Sequence, residues 1–129
     1  MAGPASDALG TCMVDSLNGK ERKELAQWIF FAMAAHPDIK KYAQVSKVDQ
    51  LNTDEFVANL VTRLLTNDCA EQTRTAVKDD GEVAIKGAFE MVGKVAMQEL
   101  ISNKEVSASL LGYAKFLDRK KLADIMSPK

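Results

Sequence analysis

The chain has 129 residues, 47% apolar and 27% charged, with 17 basic against 18 acidic side chains and a net charge of −1. This is the composition of one soluble globular domain with one core, and it excludes whole-chain disorder. Balanced charge argues against nucleic-acid binding, which draws on a basic excess, and the longest apolar run, Trp28 to Ala35, is far short of the about 20 residues of a membrane span.

Met1 to Ser6 is small and polar, with neither the basic nor the apolar stretch of a signal peptide. It reads as a flexible segment left after such a peptide is removed and a methionine is placed in front; a native cytosolic terminus is the alternative. A short helix is predicted over 7–17, carrying Leu9, Cys12, Met13 and Leu17, and the turn Ser16-Leu17-Asn18-Gly19 ends it. A long helix follows over 20–35. Leu25, Trp28, Ile29, Ala32 and Met33 recur at core-facing spacing. Phe30 and Phe31 widen that stripe, so this helix is expected to be central and nearly surrounded. His36-Pro37 stops it, since the residue before proline disfavours the α region. A short piece from Pro37 to Ala43 is expected next, then a polar loop from Val45 to Leu51.

Asn52 with Glu55 has the form of a capping box and is expected to open the following helix. Its ridges are Phe56, Leu60, Leu64 and Val57, Val61, Leu65. Asp68 with Glu71 is a second such pair, opening a helix from Cys69 to Val77, and Lys78-Asp79-Asp80-Gly81 reads as a turn. The next helix, 82–102, carries Ile85, Phe89, Val92, Ala96 and Leu100. Gly87 and Gly93 inside it each cost about 1 kcal/mol against alanine and are expected to permit close helix contact. Ser102 and Glu105 are expected to cap a helix bearing Val106, Leu110, Tyr113, Ala114 and Leu117. Asp118 starts a last one with Leu122, Ile125 and Met126. With no long β alternation, repeat or dividing linker, the expected fold is all-α: a single-domain bundle of about four main helices plus short accessory helices.

The basic clusters Lys20/Arg22/Lys23, Lys40/Lys41 and Arg119/Lys120/Lys121 each sit beside an acid (Glu21, Asp38, Asp118), as solvated helix faces do. Cys12 and Cys69 are the only cysteines. A structural zinc site needs about four N or S ligands, and this chain has one histidine and no CxxC. Two readings remain, independent buried thiols or one disulfide. Both cysteines stand near helix ends beside turn-forming residues, which favours a clip between the first segment and the body. Such a clip points to an oxidising compartment.

Triad catalysis needs a histidine base beside its nucleophile. The single candidate, His36, stands at a helix break and reads as a capping or packing residue. Asn18-Gly19-Lys20 fails as a phosphate loop: Val14 occupies the earlier glycine's place, Glu21 follows the lysine, and no strand precedes it. The pairs Asp54-Glu55 and Asp79-Asp80 open helices or turns, where acids favour the dipole. The ligand series of an EF-hand stops at Gly81. Met33, Met91 and Met97 could line an adaptable groove but are spaced as core residues. No cofactor or metal site is expected.

The stretch Cys12-Met-Val-Asp15-Ser16, Gly19-Lys20-x-Arg22-Lys23, Leu25, Trp28-Ile-Phe30-x-Ala32-Met33-Ala and His36-Pro37 resembles the opening of small exported proteobacterial proteins of unknown function. Leu65-x-x-Asp68-Cys69, Val95-Ala96-Met97-x-Glu99-Leu100 and Asn103-x-Glu105-Val106 continue that pattern over most of the chain. The resemblance implies a periplasmic helical protein with Cys12 paired to Cys69; it implies no reaction. The signal peptide of the pattern is the one part missing here. Immunity proteins against cell-wall hydrolases and acid-stress holdase chaperones offer analogies of plan, without a shared motif. The expected function is therefore non-enzymatic binding of another protein, in the periplasm or after secretion. The polar stretch Asp15, Ser16, Lys20 and Arg22 is its candidate surface, and a homo-oligomer is compatible with it. The alternatives are an acid-responsive chaperone and, last, an enzyme using carboxylates alone.

Overall fold

The computed structural model describes residues 3–127, which form helices joined by short connections, with no strand among the described residues. The first, α1 (Pro4–Asp15), begins on a proline, whose missing N–H costs nothing in a first turn. It starts inside the stretch expected to be flexible. Ser6 is buried and its hydroxyl donates to the Ala84 carbonyl oxygen at 2.7 Å. That bond, spanning 78 residues, corrects the flexible reading for residues 3–6; Met1 and Ala2 lie outside the described residues.

A reciprocal capping box opens α2 (Gly19–Met33). The Asn18 side chain accepts from the Glu21 N–H at 2.8 Å, and Glu21 Oε1 accepts from the Asn18 N–H at 3.0 Å. This helix is not the surrounded centre that its aromatic stripe led us to expect. It buries only Leu25 and Ala26, and Phe30 and Met33 are about half exposed. His36 caps α3 (Pro37–Lys40), its Nδ1 accepting from the Asp38 N–H at 3.1 Å.

The fourth helix, α4 (Lys47–Arg63), opens on Ser46, whose hydroxyl accepts from the Asp49 N–H. Asn52 and Glu55 therefore stand inside the helix rather than at its start, and the loop expected over 45–51 is mostly its first turns. Val48 and Leu51 are exposed, which hides this opening from any apolar periodicity. The chain then widens into a π-helical turn, Leu64–Asp68, closed by the Cys69 N–H donating to the Leu64 carbonyl oxygen at 2.8 Å. The helix after it, α5 (Ala70–Asp80), has no side-chain cap at Cys69. The Asp68–Glu71 pair does not form a box because Asp68 is taken by Arg63 and Glu71 by Arg74. The expected turn at 78–81 shrinks to Gly81, in the left-handed region at φ 72°, where a residue without Cβ is at ease.

The structural centre is α6 (Glu82–Ile101), packed against α1, α2 and α5. Its buried face is Ala84, Ala88, Val92 and Ala96, at a spacing of four. Ile85, Phe89 and Leu100, expected on the main ridge, flank it and are partly buried. Small side chains let α1 come close, burying Leu9 and Met13 completely. The close approach is through Gly10, where a Cβ would stand 2.8 Å from Met91 Sδ. Gly93, expected to serve that purpose, faces open space, with nothing within 4 Å of an added Cβ.

Beyond α6 the chain leaves the body. Asn103, not Ser102, caps α7 (Lys104–Leu111), accepting from the Glu105 and Val106 N–H groups. A 3₁₀ segment, Gly112–Phe116, and α8 (Arg119–Met126), capped by Asp118, follow. Their apolar residues do not join the core. No residue from Lys104 to Met126 is buried.

Candidate functional site

The first segment and the middle of the chain meet at a disulfide between Cys12 on α1 and Cys69 after the π-helical turn, with Cα atoms 6.0 Å apart. The wide turn aims Cys69 into the core, where it is fully buried, while Cys12 stays partly exposed at the floor of an open depression. Asp15 and Ser16 line the same depression. The Ser16 hydroxyl lies 3.8 Å from Cys69 Sγ; a disulfide sulfur carries no hydrogen, so a bond there is donated by Ser16.

The four residues expected to form a polar interaction surface divide. Asp15 and Lys20 are exposed, and Lys20 makes only a 4.0 Å contact with Glu24. Ser16 and Arg22 are partly buried and engaged inside the molecule. Arg22 Nη1 donates to the Leu17 carbonyl oxygen at 3.0 Å, and its Nε lies 3.5 Å from Glu99 on α6. Asp15 and Lys20 are the accessible pair of the four, while Ser16 and Arg22 hold α1, α2 and α6 together.

The group that organises this end is Arg63, which no motif announced. Its guanidinium donates to Glu21 Oε2 at 2.6 Å, to Asp68 Oδ2 at 2.9 Å and to the Ser16 carbonyl oxygen at 3.3 Å. One planar fork thereby joins the start of α2, the end of α4, the π-helical turn and the end of α1. Arg63 holds the Glu21 carboxyl below the usual carboxylate range, chiefly through that hydrogen bond. Partial burial works in the opposite direction, and the Asn18 N–H adds to the lowering.

The linkage has a definite sign. A carboxylate with a depressed folded pKa contributes stability above its unfolded value, and that contribution is lost as pH falls below about 4.5 and through the folded value. Glu21→Gln is expected to cost about 1 kcal/mol at pH 7, a modest figure because the Arg63 side chain is 40% exposed. The cost should shrink steadily as pH falls below about 4.5 and through the folded value. Urea midpoints of both proteins across pH 2–7 measure it; a constant difference would remove Glu21 from the acid limb.

A second feature lies at the far end of α2. There α2, α3 and the start of α4 surround a groove of about 270 Å³ lined by Phe31, Ala34, Ala35, Ala43 and Val45 among others. On and beside the same helices Phe30, Met33, Ile39, Tyr42, Val48 and Leu51 are exposed, Tyr42 to 80%, although none of the six lines the groove itself. Asp38, Lys40, Lys41, Lys47 and Asp49 are exposed among them. The tip of the expected aromatic stripe is thus a surface, and sequence reasoning missed it because an apolar stripe at helical spacing is usually core.

Chemically, every described buried side-chain nitrogen or oxygen has a hydrogen-bond partner. Trp28 Nε1 donates to Asp54 Oδ1 at 2.9 Å, so one acid of the Asp54-Glu55 pair serves to hold α4 on α2. His36 spends Nδ1 on its cap. No helix of the described residues is long and apolar enough to cross a membrane. No family model matches the chain, and no characterised protein or solved structure does so either.

Proposed function

We propose that this is an exported, non-enzymatic protein that works by docking another protein on the apolar end formed by α2, α3 and α4. The observation that carries the reading is that six large apolar side chains stand exposed on and beside the three helices that line one groove, with exposed charged residues between them in sequence. Exposed apolar patches with polar rims mark protein-binding surfaces. Tyr and Met, both present here, are enriched in the cores of such interfaces. The disulfide supports an oxidising compartment, because thiols in the cytosol are kept reduced. Against a reaction centre stand the satisfied buried polar groups and the engaged His36 and Asp54.

A photo-cross-linking residue at Tyr42 is expected to give one discrete adduct in a periplasmic extract, and the same label at Glu90 on α6 none. Met33→Asp with Leu51→Asp should abolish the Tyr42 adduct. Equal labelling from both positions would sink the proposal.

An acid-responsive chaperone is the second reading, favoured by the Glu21–Arg63 pair, because protonation of Glu21 would loosen one of the ties between α2 and α4. Apolar-dye binding followed through the same pH 2–7 titration decides it: flat fluorescence removes this reading and leaves the first untouched.

A further inference from the structure

The arm from Lys104 to Met126 is a second apolar surface, separate from the α2–α3–α4 end. Leu110, Leu111, Tyr113 and Phe116 are exposed to between 55% and 80%, and Ile125 and Met126 to 85% and 70%. Of its elements, α7 packs on α6 and the 3₁₀ segment packs on α7, while α8 has no comparable packing among the described residues. Charge separates the arm from the body as well. Residues 104–126 hold five basic against three acidic side chains, net +2, and residues 3–103 hold eleven against fifteen, net −4.

We propose that this arm makes a homodimer, the arm of each copy lying on the body of the other. Its basic apolar end meets the acidic corner where α5 turns into α6. That corner carries Asp79, Asp80 and Glu82 around Gly81 against one base, Lys78, and the exposed Val77 and Val83 flank it on either side. It is the complement of α8, where Leu122, Ile125 and Met126 follow Arg119, Lys120 and Lys121. A chain's own corner lies a full α6 length, roughly 30 Å, from the root of its arm. A two-fold exchange brings each arm to the other copy's corner and makes the contact twice. The net charges favour a second copy over an anionic membrane, which would attract the arm but repel the body.

Sedimentation equilibrium on the full chain tests this. The expected result is a dimer that weakens as salt rises. Leu122→Asp with Ile125→Asp should give a monomer that keeps its helical circular dichroism, since both side chains lie outside the core. Lys120→Glu with Lys121→Glu, and separately Asp79→Lys with Asp80→Lys, should each weaken the dimer at least about tenfold. Mixing those two charge-reversed proteins should restore a heterodimer through the one interface whose charges again match. A wild-type chain that stays monomeric at every concentration overturns the proposal. So does a monomer that binds vesicles of anionic phospholipid, a dimer indifferent to the arm variants, or a mixture that does not pair. Cross-linking at Tyr42 reads a different surface, so either proposal can fail alone.

Discussion

Reducing the Cys12–Cys69 bond is expected to lower the stability of the chain by about 4 kcal/mol. The bond closes a loop of 57 residues, and an open loop of that length gives the unfolded chain a large gain in conformational freedom. The native contacts of α1 do not depend on the bond alone, because Leu9, Gly10 and Met13 are buried against the body and Ser6 is bonded to Ala84. The reduced protein should therefore keep its helical circular dichroism while its urea midpoint falls. The slope of the transition should rise, since the uncrosslinked unfolded chain exposes more surface. Cys12→Ala with Cys69→Ala should behave in the same way, as the small apolar residue suits the buried Cys69 site. A loss below about 1 kcal/mol, well short of the chain-entropy figure, would mean that the reduced unfolded chain is already compact at this end.

The second large effect is expected at Gly10. Even a single Cβ there meets Met91 Sδ at 2.8 Å and Met91 Cβ at 3.2 Å, so the Met91 side chain must swing aside and the α1–α6 packing must give to admit it. Gly10→Val adds two further methyl groups and should cost about 3 kcal/mol, the upper part of the range for overpacked cores. Gly93→Ala is the matched control on α6, with open space around the new methyl. It should stabilise by up to about 1 kcal/mol through helix propensity alone. Urea unfolding of both variants checks the pair, and opposite signs are the expected outcome. Destabilisation at both positions would show that helix–helix spacing is not what makes Gly10 necessary.

The helices themselves were legible because apolar residues return every three or four positions along most of the chain. The Asp118 start was also plain, a carboxylate standing before a helix-forming run. What misled was size. Ile85, Phe89 and Leu100 outweigh their neighbours in any apolar count, yet α6 buries Ala84 and Ala88, because close helix packing rewards small side chains. The opening of α4 at Ser46 was obscured by the exposure of Val48 and Leu51, so Asn52 took its place as the expected cap. Periodicity also shows that a face seeks cover without saying what covers it. For that reason periodicity predicts helices of the bundle beyond Lys104 and a surrounded tip for α2, where the structure leaves both exposed.

Of the four residues of the candidate surface, Asp15 and Lys20 are exposed, and Ser16 and Arg22 turn inward. Arg63 had no signature because its partner Glu21 lies 42 residues away. The one available hint was Asn18-x-x-Glu21, which has the spacing of a capping box and places that carboxylate at a helix start.

The π-helical turn at Leu64–Asp68 fixes more than a local widening. Each residue of a regular helix rotates the chain by about 100°, and the wide turn holds one residue more than an α-helical path would. Winding the same five residues as plain α-helix would swing everything after them through roughly that angle. Cys69 would then point away from Cys12, and Asp68 away from Arg63. The covalent clip and the ion-pair cluster thus share a single phase setting, and rewinding this one turn as α-helix would undo both at once.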